Sequence, residues 1–87
     1  MKYTLGRTKG TLVYYGYKGT YIGAGTQYYG VRVQFRDENG LSMCWDTTYR
    51  GMGILHELKF GESYEVRFTV DLIEEWGCLI KRVTLVK

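Results

Sequence analysis

No aspartate or glutamate occurs among the first 36 residues of this 87-residue chain, and no proline occurs anywhere in it. The groups that could ligate a soft metal are equally few: one histidine, His56, and two cysteines, Cys44 and Cys78. A structural zinc site needs four such ligands at close spacing, so no metal is expected. The longest uncharged stretch, Gly19 to Val31, is glycine- and tyrosine-rich and too polar to cross a bilayer, so no membrane contact is expected. Met1-Lys2 leads into "YTLGRTKG" without an apolar run, so no signal peptide is expected. A cytoplasmic location is the expectation, and with it two free, semi-buried thiols rather than a disulfide.

Catalytic constellations are missing too. Glu74 and Glu75 are adjacent and would point to opposite faces of a strand, so they make no acid/base pair. "GAGTQYYG" lacks the Lys-Ser/Thr of a phosphate-binding loop, and no helix follows it. Ser42, Thr47 and Thr48 have no base that the sequence can identify. The chain is therefore expected to be non-catalytic and to carry no cofactor.

What the chain does contain is a charge split. Residues 1–36 carry Lys2, Arg7, Lys9, Lys18, Arg32 and Arg36, a net +6, and seven of the nine tyrosines. Residues 37–87 carry six basic and nine acidic side chains, a net −3. The stretch "GTLVYYGYKGTYIGAGTQYYG", residues 10–30, alone holds six tyrosines and six glycines. A basic, tyrosine-rich half joined to a mildly acidic half points to a polyanionic partner such as nucleic acid. Tyrosine is also an ordinary strand residue that bridges core and water, and that reading of the rings stays open.

The hydrophobic period is two. In "YEVRFTVDL", Tyr64, Val66, Phe68, Val70 and Leu72 alternate with Glu65, Arg67, Thr69 and Asp71, which predicts a half-buried strand. "GVRVQFRD" repeats the pattern, and "LSMCWDTT" follows it after "DENG", a hairpin signal because Asn and Gly tolerate positive φ. A first strand over Thr8–Tyr17 and a last over Cys78–Val86, entered at Gly77, complete five. "MGILHEL", residues 52–58, is expected to form one short turn. With no proline and twelve glycines, these strands suit a single small all-β domain over residues 1–87, an antiparallel barrel bending at glycine. Five strands this short would leave exposed edges unless the sheet curled.

Two registers of the hairpin remain open. A three-residue loop with Gly40 as a bulge pairs Val33 with Trp45 on the inner side and makes the indole core. A two-residue Asn39-Gly40 turn instead places Trp45 outside, opposite Gln34 and beside Arg32 and Arg36. The first is favoured because Met43 then joins Phe35 inside. Trp76 is expected to cap one barrel end.

Lys9-Gly10, Asp37-Glu38-Asn39-Gly40 with Trp45-Asp46-Thr47-Thr48, Tyr64-Glu65-Val66-Arg67-Phe68-Thr69-Val70, and Gly77 with Lys81-Arg82-Val83 together resemble the small OB-fold proteins of bacteriophages and mobile elements. The resemblance covers residues 8–87 and departs at Asp71, where such proteins often continue with lysine. It implies a five-stranded OB-like barrel, with an SH3-like barrel as the alternative. In OB barrels the outer face of strands 2 and 3 and the neighbouring loops form the oligonucleotide groove. On this chain that face would offer Arg32, Gln34 and Arg36, with Tyr17 at the end of strand 1. The loop Lys18–Tyr29 would add Lys18, Tyr21, Tyr28 and Tyr29. Bases stack on aromatic rings at ~1–3 kcal/mol each while cations neutralise phosphates, so a single-stranded nucleic acid is the expected partner. The alternative is a compact inhibitor, anti-defence or anti-CRISPR in kind, that docks on a host nuclease or other nucleic-acid-handling protein in the bacterial cell. Tyr and Arg dominate protein hot spots as well. A contiguous patch of Glu57, Glu62, Glu65, Asp71, Glu74 and Glu75 would favour it. The oligomeric state is not legible in the sequence.

Overall fold

The computed structural model describes the backbone of residues 2–21, 29–47 and 49–86, and their side chains except those of residues 20, 21, 29 and 49–52. Five strands follow one another: β1 (Gly6–Tyr21), β2 (Tyr29–Asp37), β3 (Ser42–Thr47), β4 (Ser63–Glu74) and β5 (Gly77–Leu85), with a 3₁₀ helix (Tyr49–Glu57) between β3 and β4. β1, β2 and β3 form an antiparallel meander, and β4 returns across the helical connection to lie beside β1. That is the 4-1-2-3 order of a Greek key. β5 closes the wall between β4 and β3, giving a closed five-stranded barrel in the order β1-β2-β3-β5-β4, of the small OB-like or SH3-like kind.

The barrel is not wholly antiparallel as expected. β5 pairs antiparallel with β4 but parallel with β3, over Ser42↔Gly77 to Trp45↔Ile80. An odd number of strands cannot close with every pair antiparallel, so one pairing must be parallel. β1 also runs longer than expected. Its first half pairs with β4 and its second with β2, so Leu12 and Val13 have partners on both sides. Lys18 consequently lies in a strand opposite Arg32, not in a loop.

Alternation places the core. Leu12, Val33, Phe35, Met43 and Val66 are all fully buried on the inner rows, each contributing about 1.5–3 kcal/mol by leaving water. Leu55 and Leu58 add to this core from the helical connection, which starts earlier than the turn expected at 52–58. The hairpin takes the three-residue form. Val33 pairs with Trp45, Gly40 sits at φ +83°, and the Asp37 N–H donates to the Leu41 carbonyl at 3.0 Å. Trp45 is accordingly core, 7% exposed.

Two apolar expectations fail at irregularities of the ladder. The β4–β5 register slips between Val70 and Leu72, which turns Leu72 out to 43% exposure and brings Ile73 against the core. Trp76 caps nothing: it stands in the β4–β5 turn, 47% exposed. Cys44 and Cys78 are free and buried, and they occupy opposite faces of the wall, opposite Gln34 and Met43 respectively. Among the described residues no helix is long and apolar enough to cross a membrane.

Candidate nucleic-acid interface

The outer face of β1 and β2 is built around an irregularity in β1. Tyr14 opposes Phe35 and Tyr17 opposes Val33, so three steps of β1 span two of β2. The extra residue is accommodated at Gly16, whose φ of +89° a side chain would rarely adopt. The turn before β4 docks here: the Tyr14 N–H donates to the Glu62 carbonyl at 3.0 Å, and the Gly61 N–H to the Tyr14 carbonyl at 2.7 Å. This seats Phe60 against Gly16, 3.5 Å from where a Cβ would stand, and edge-on to Tyr15 at 5.6 Å between centroids. On the same ring lies the Arg36 guanidinium, 5.2 Å from its centre. Tyr15, Tyr17 and Phe60 are 40%, 53% and 70% exposed.

Beside this cluster, Tyr15, Gly16, Tyr17, Lys18, Arg32 and Gln34 line an open groove of about 240 Å³. Of the eight residues expected to form the site, five can be located with their side chains: Tyr17, Lys18, Arg32 and Gln34 in the groove and Arg36 over Tyr15. The backbones of Tyr21 and Tyr29 pair at the far end of β1–β2, but their side chains lie outside the described residues, as does all of Tyr28.

The five are not equally available. Arg32 is held by Asp46, its cross-strand neighbour, through Nε–Oδ1 at 2.7 Å and Nη2–Oδ2 at 2.9 Å. That bidentate hydrogen bond raises its pKa above the ordinary arginine value against a smaller desolvation effect. A phosphate at Arg32 would have to displace a carboxylate. Gln34 is likewise engaged, donating from Nε2 to Ser42 Oγ at 2.6 Å while Oε1 accepts from Cys44 Sγ at 3.3 Å. Lys18 and Arg36 have no carboxylate partner among the described residues. Tyr15 and Phe60 were not anticipated. The signal for Tyr15 was a lone glycine inside a strand pattern, "YYGY", which marks a bulge. For Phe60 it was an aromatic ring placed immediately before the turn glycine Gly61.

A cluster at the other end of β2 is structural. Asp37, 5% exposed, accepts from Tyr3 Oη at 3.1 Å and from the N–H groups of Asn39 and Leu41 at 2.9 and 2.8 Å. Burial first, then the Asp37 hydrogen bond and its charge, pushes the Tyr3 phenol up to about 12. Burial also raises the Tyr14 phenol and the Cys78 thiol.

The acidic side chains form no single patch. Glu62 precedes β4 and Glu74 ends it, at opposite ends of a twelve-residue strand. Between them Asp71 is paired with Lys81 at 2.9 Å. Fold and face together define a small closed β-barrel with an aromatic-cationic groove on its outer wall. Comparison with protein-family models, curated proteins and solved structures finds no match.

Proposed function

We propose that the protein is a non-catalytic module that binds single-stranded nucleic acid through the β1–β2 groove. One observation carries the reading: half-exposed tyrosines, Tyr15 and Tyr17, stand beside Lys18 and Arg36, two cations with no carboxylate partner among the described residues. Rings of this kind accept bases of any sequence, and cations beside them take the phosphates. Recognition is by stacking and charge, with little base selectivity.

A labelled single-stranded oligonucleotide should bind with an affinity that falls as salt rises, and Tyr15→Ala should weaken it by the ~1–3 kcal/mol of one stacked base. Arg36→Ala should weaken binding and flatten its salt dependence by one phosphate contact. Fluorescence anisotropy at low salt that shows no binding by the unmodified protein would eliminate this function. In that event Phe60, 70% exposed beside Tyr15, favours the second reading, a protein-binding inhibitor anchored on an aromatic hot spot. That reading is tested by Phe60→Ala in a pull-down against purified nucleases, where an unchanged yield counts against it.

A further inference from the structure

A second cationic surface lies away from the groove, on the β1, β4 and β5 side of the wall. Arg7, Arg67 and Arg82 line one cleft of about 260 Å³ together with Thr69 and Thr84. Arg7, Lys9 and Arg67 line its neighbour, of about 360 Å³. The ladder explains the convergence: Arg7 opposes Thr69, Lys9 opposes Arg67, and Arg67 opposes Thr84.

Three features make this more than a scatter of surface charge. All four cations are exposed, and none has a carboxylate partner among the described residues, although Arg32 and Lys81 elsewhere on the barrel do. Lys9 and Arg67 face each other directly across the strand pair, an arrangement that is destabilising unless something negative lies between them. Arg82 is the lone non-glycine residue of positive φ among those described, at +54°, and it stands where β5 takes three steps, Lys81 to Thr84, against two of β4. A bulge of this sort re-aims a side chain, and left-handed backbone at a non-glycine residue is retained where a site uses it.

We propose that this face binds the sugar–phosphate backbone of a nucleic-acid strand, as a contact surface separate from the tyrosine groove. Threonine hydroxyls and forked guanidinium groups are phosphate ligands, and Arg7 and Lys9, two residues apart on one strand, repeat at about 6.6 Å along it. The one aromatic residue in the lining, Phe68, is 2% exposed, so the face offers charge and hydrogen bonds with nothing on which a base could stack. No apolar side chain lining the two clefts is exposed, which argues against a lipid surface there, since that would be met by insertion as well as charge.

The test uses an abasic oligodeoxynucleotide, which keeps the phosphates and removes the bases. The 87-residue chain should bind it in a salt-dependent manner. Arg67→Gln with Arg82→Asn, asparagine being tolerant of left-handed backbone, should weaken binding about tenfold and lower the slope of log affinity against log salt by about 1.4, two contacts at ~0.7 each. Arg7→Gln with Lys9→Gln, on a different strand, should do the same and guards against a folding defect in the first pair; thermal melts confirm that each is folded. No binding of the abasic strand by the unmodified protein, unchanged affinity in both double variants, or preference for anionic vesicles over the strand would overturn the assignment. Binding of a base-bearing strand that depends on Tyr15 while the abasic strand fails would strike this face alone. Abasic binding that persists while Tyr15→Ala leaves base-bearing binding unchanged would strike the groove alone.

Discussion

Asp37 illustrates how a single acidic residue in a hairpin can belong to the core. Its carboxylate closes the loop by accepting two backbone N–H groups and closes the barrel end by accepting the Tyr3 hydroxyl. Tyr3→Phe removes one of these donors, and a stability loss of about 1 kcal/mol is expected from denaturant unfolding at neutral pH. Burial of the Tyr3 ring, and after it this contact, sets the alkaline behaviour. Tyr3 holds its proton to about 12 in the folded chain, whereas an unfolded tyrosine loses it near 10, so the folded state binds more protons between those values. Stability is complete below the unfolded value and falls as pH rises through this window. The buried Cys78 thiol, raised above its ordinary value of 9.0, acts in the same direction from a lower starting pH. Thermal melts should therefore be level up to about pH 9 and decline above it, and the decline above pH 10 should be shallower for Tyr3→Phe. Melting temperatures that stay level to pH 12 would remove the account.

At the scale of the strands, irregularities matter as much as the regular ladder. The slip at Gly16 produces the groove, the slip at Leu72 exposes an apolar side chain, and the slip at Arg82 gathers the second cationic face. The parallel closure depends on Gly77. A Cβ there would stand 2.0 Å from the Ser42 carbonyl oxygen, in backbone that cannot yield without breaking the β3–β5 pairing. Gly77→Ala is accordingly expected to cost about 3 kcal/mol or more, near the upper end for single substitutions. Urea unfolding that places the loss below about 1 kcal/mol would show that β5 can shift without opening the barrel. Trp76→Ala, in the exposed turn just before it, should stay within about 0.5 kcal/mol.

For the whole molecule, the charge split along the sequence does not become two halves in space. β1 sits between β2 and β4, so its cations are shared out between two faces. Arg32, from the acid-free segment, is neutralised by Asp46. Arg67 and Arg82, from the net-acidic segment, join Arg7 and Lys9. This redistribution makes Asp46 a brake on anion binding at the groove. Asp46→Asn should strengthen oligonucleotide binding there by about two- to fivefold and steepen its salt dependence, because one more arginine becomes free to meet a phosphate. An unchanged affinity would mean that Arg32 takes no part whether or not its partner is present.

Much of the fold could be read before any coordinates. A period of two is a property of neighbouring residues, so the inner rows of β2, β3 and most of β4 were legible. "DENG" sets the hairpin loop, and the loop sets the register that puts Trp45 inside. Long-range relations were not legible. The Arg32–Asp46 pair follows from the hairpin register, but Arg7 and Arg67 share a cleft only because β4 returns beside β1 after the helical connection. Tyr15 and Phe60 meet because a turn far along the chain hydrogen-bonds to Tyr14. Alternation determined that this chain forms half-buried strands and, away from the bulges, which side chains they turn inward. Closure alone decided which cations are left without a counter-charge, because a charge's neighbours across a sheet are chosen by pairing between distant segments, and strand periodicity carries no information about that.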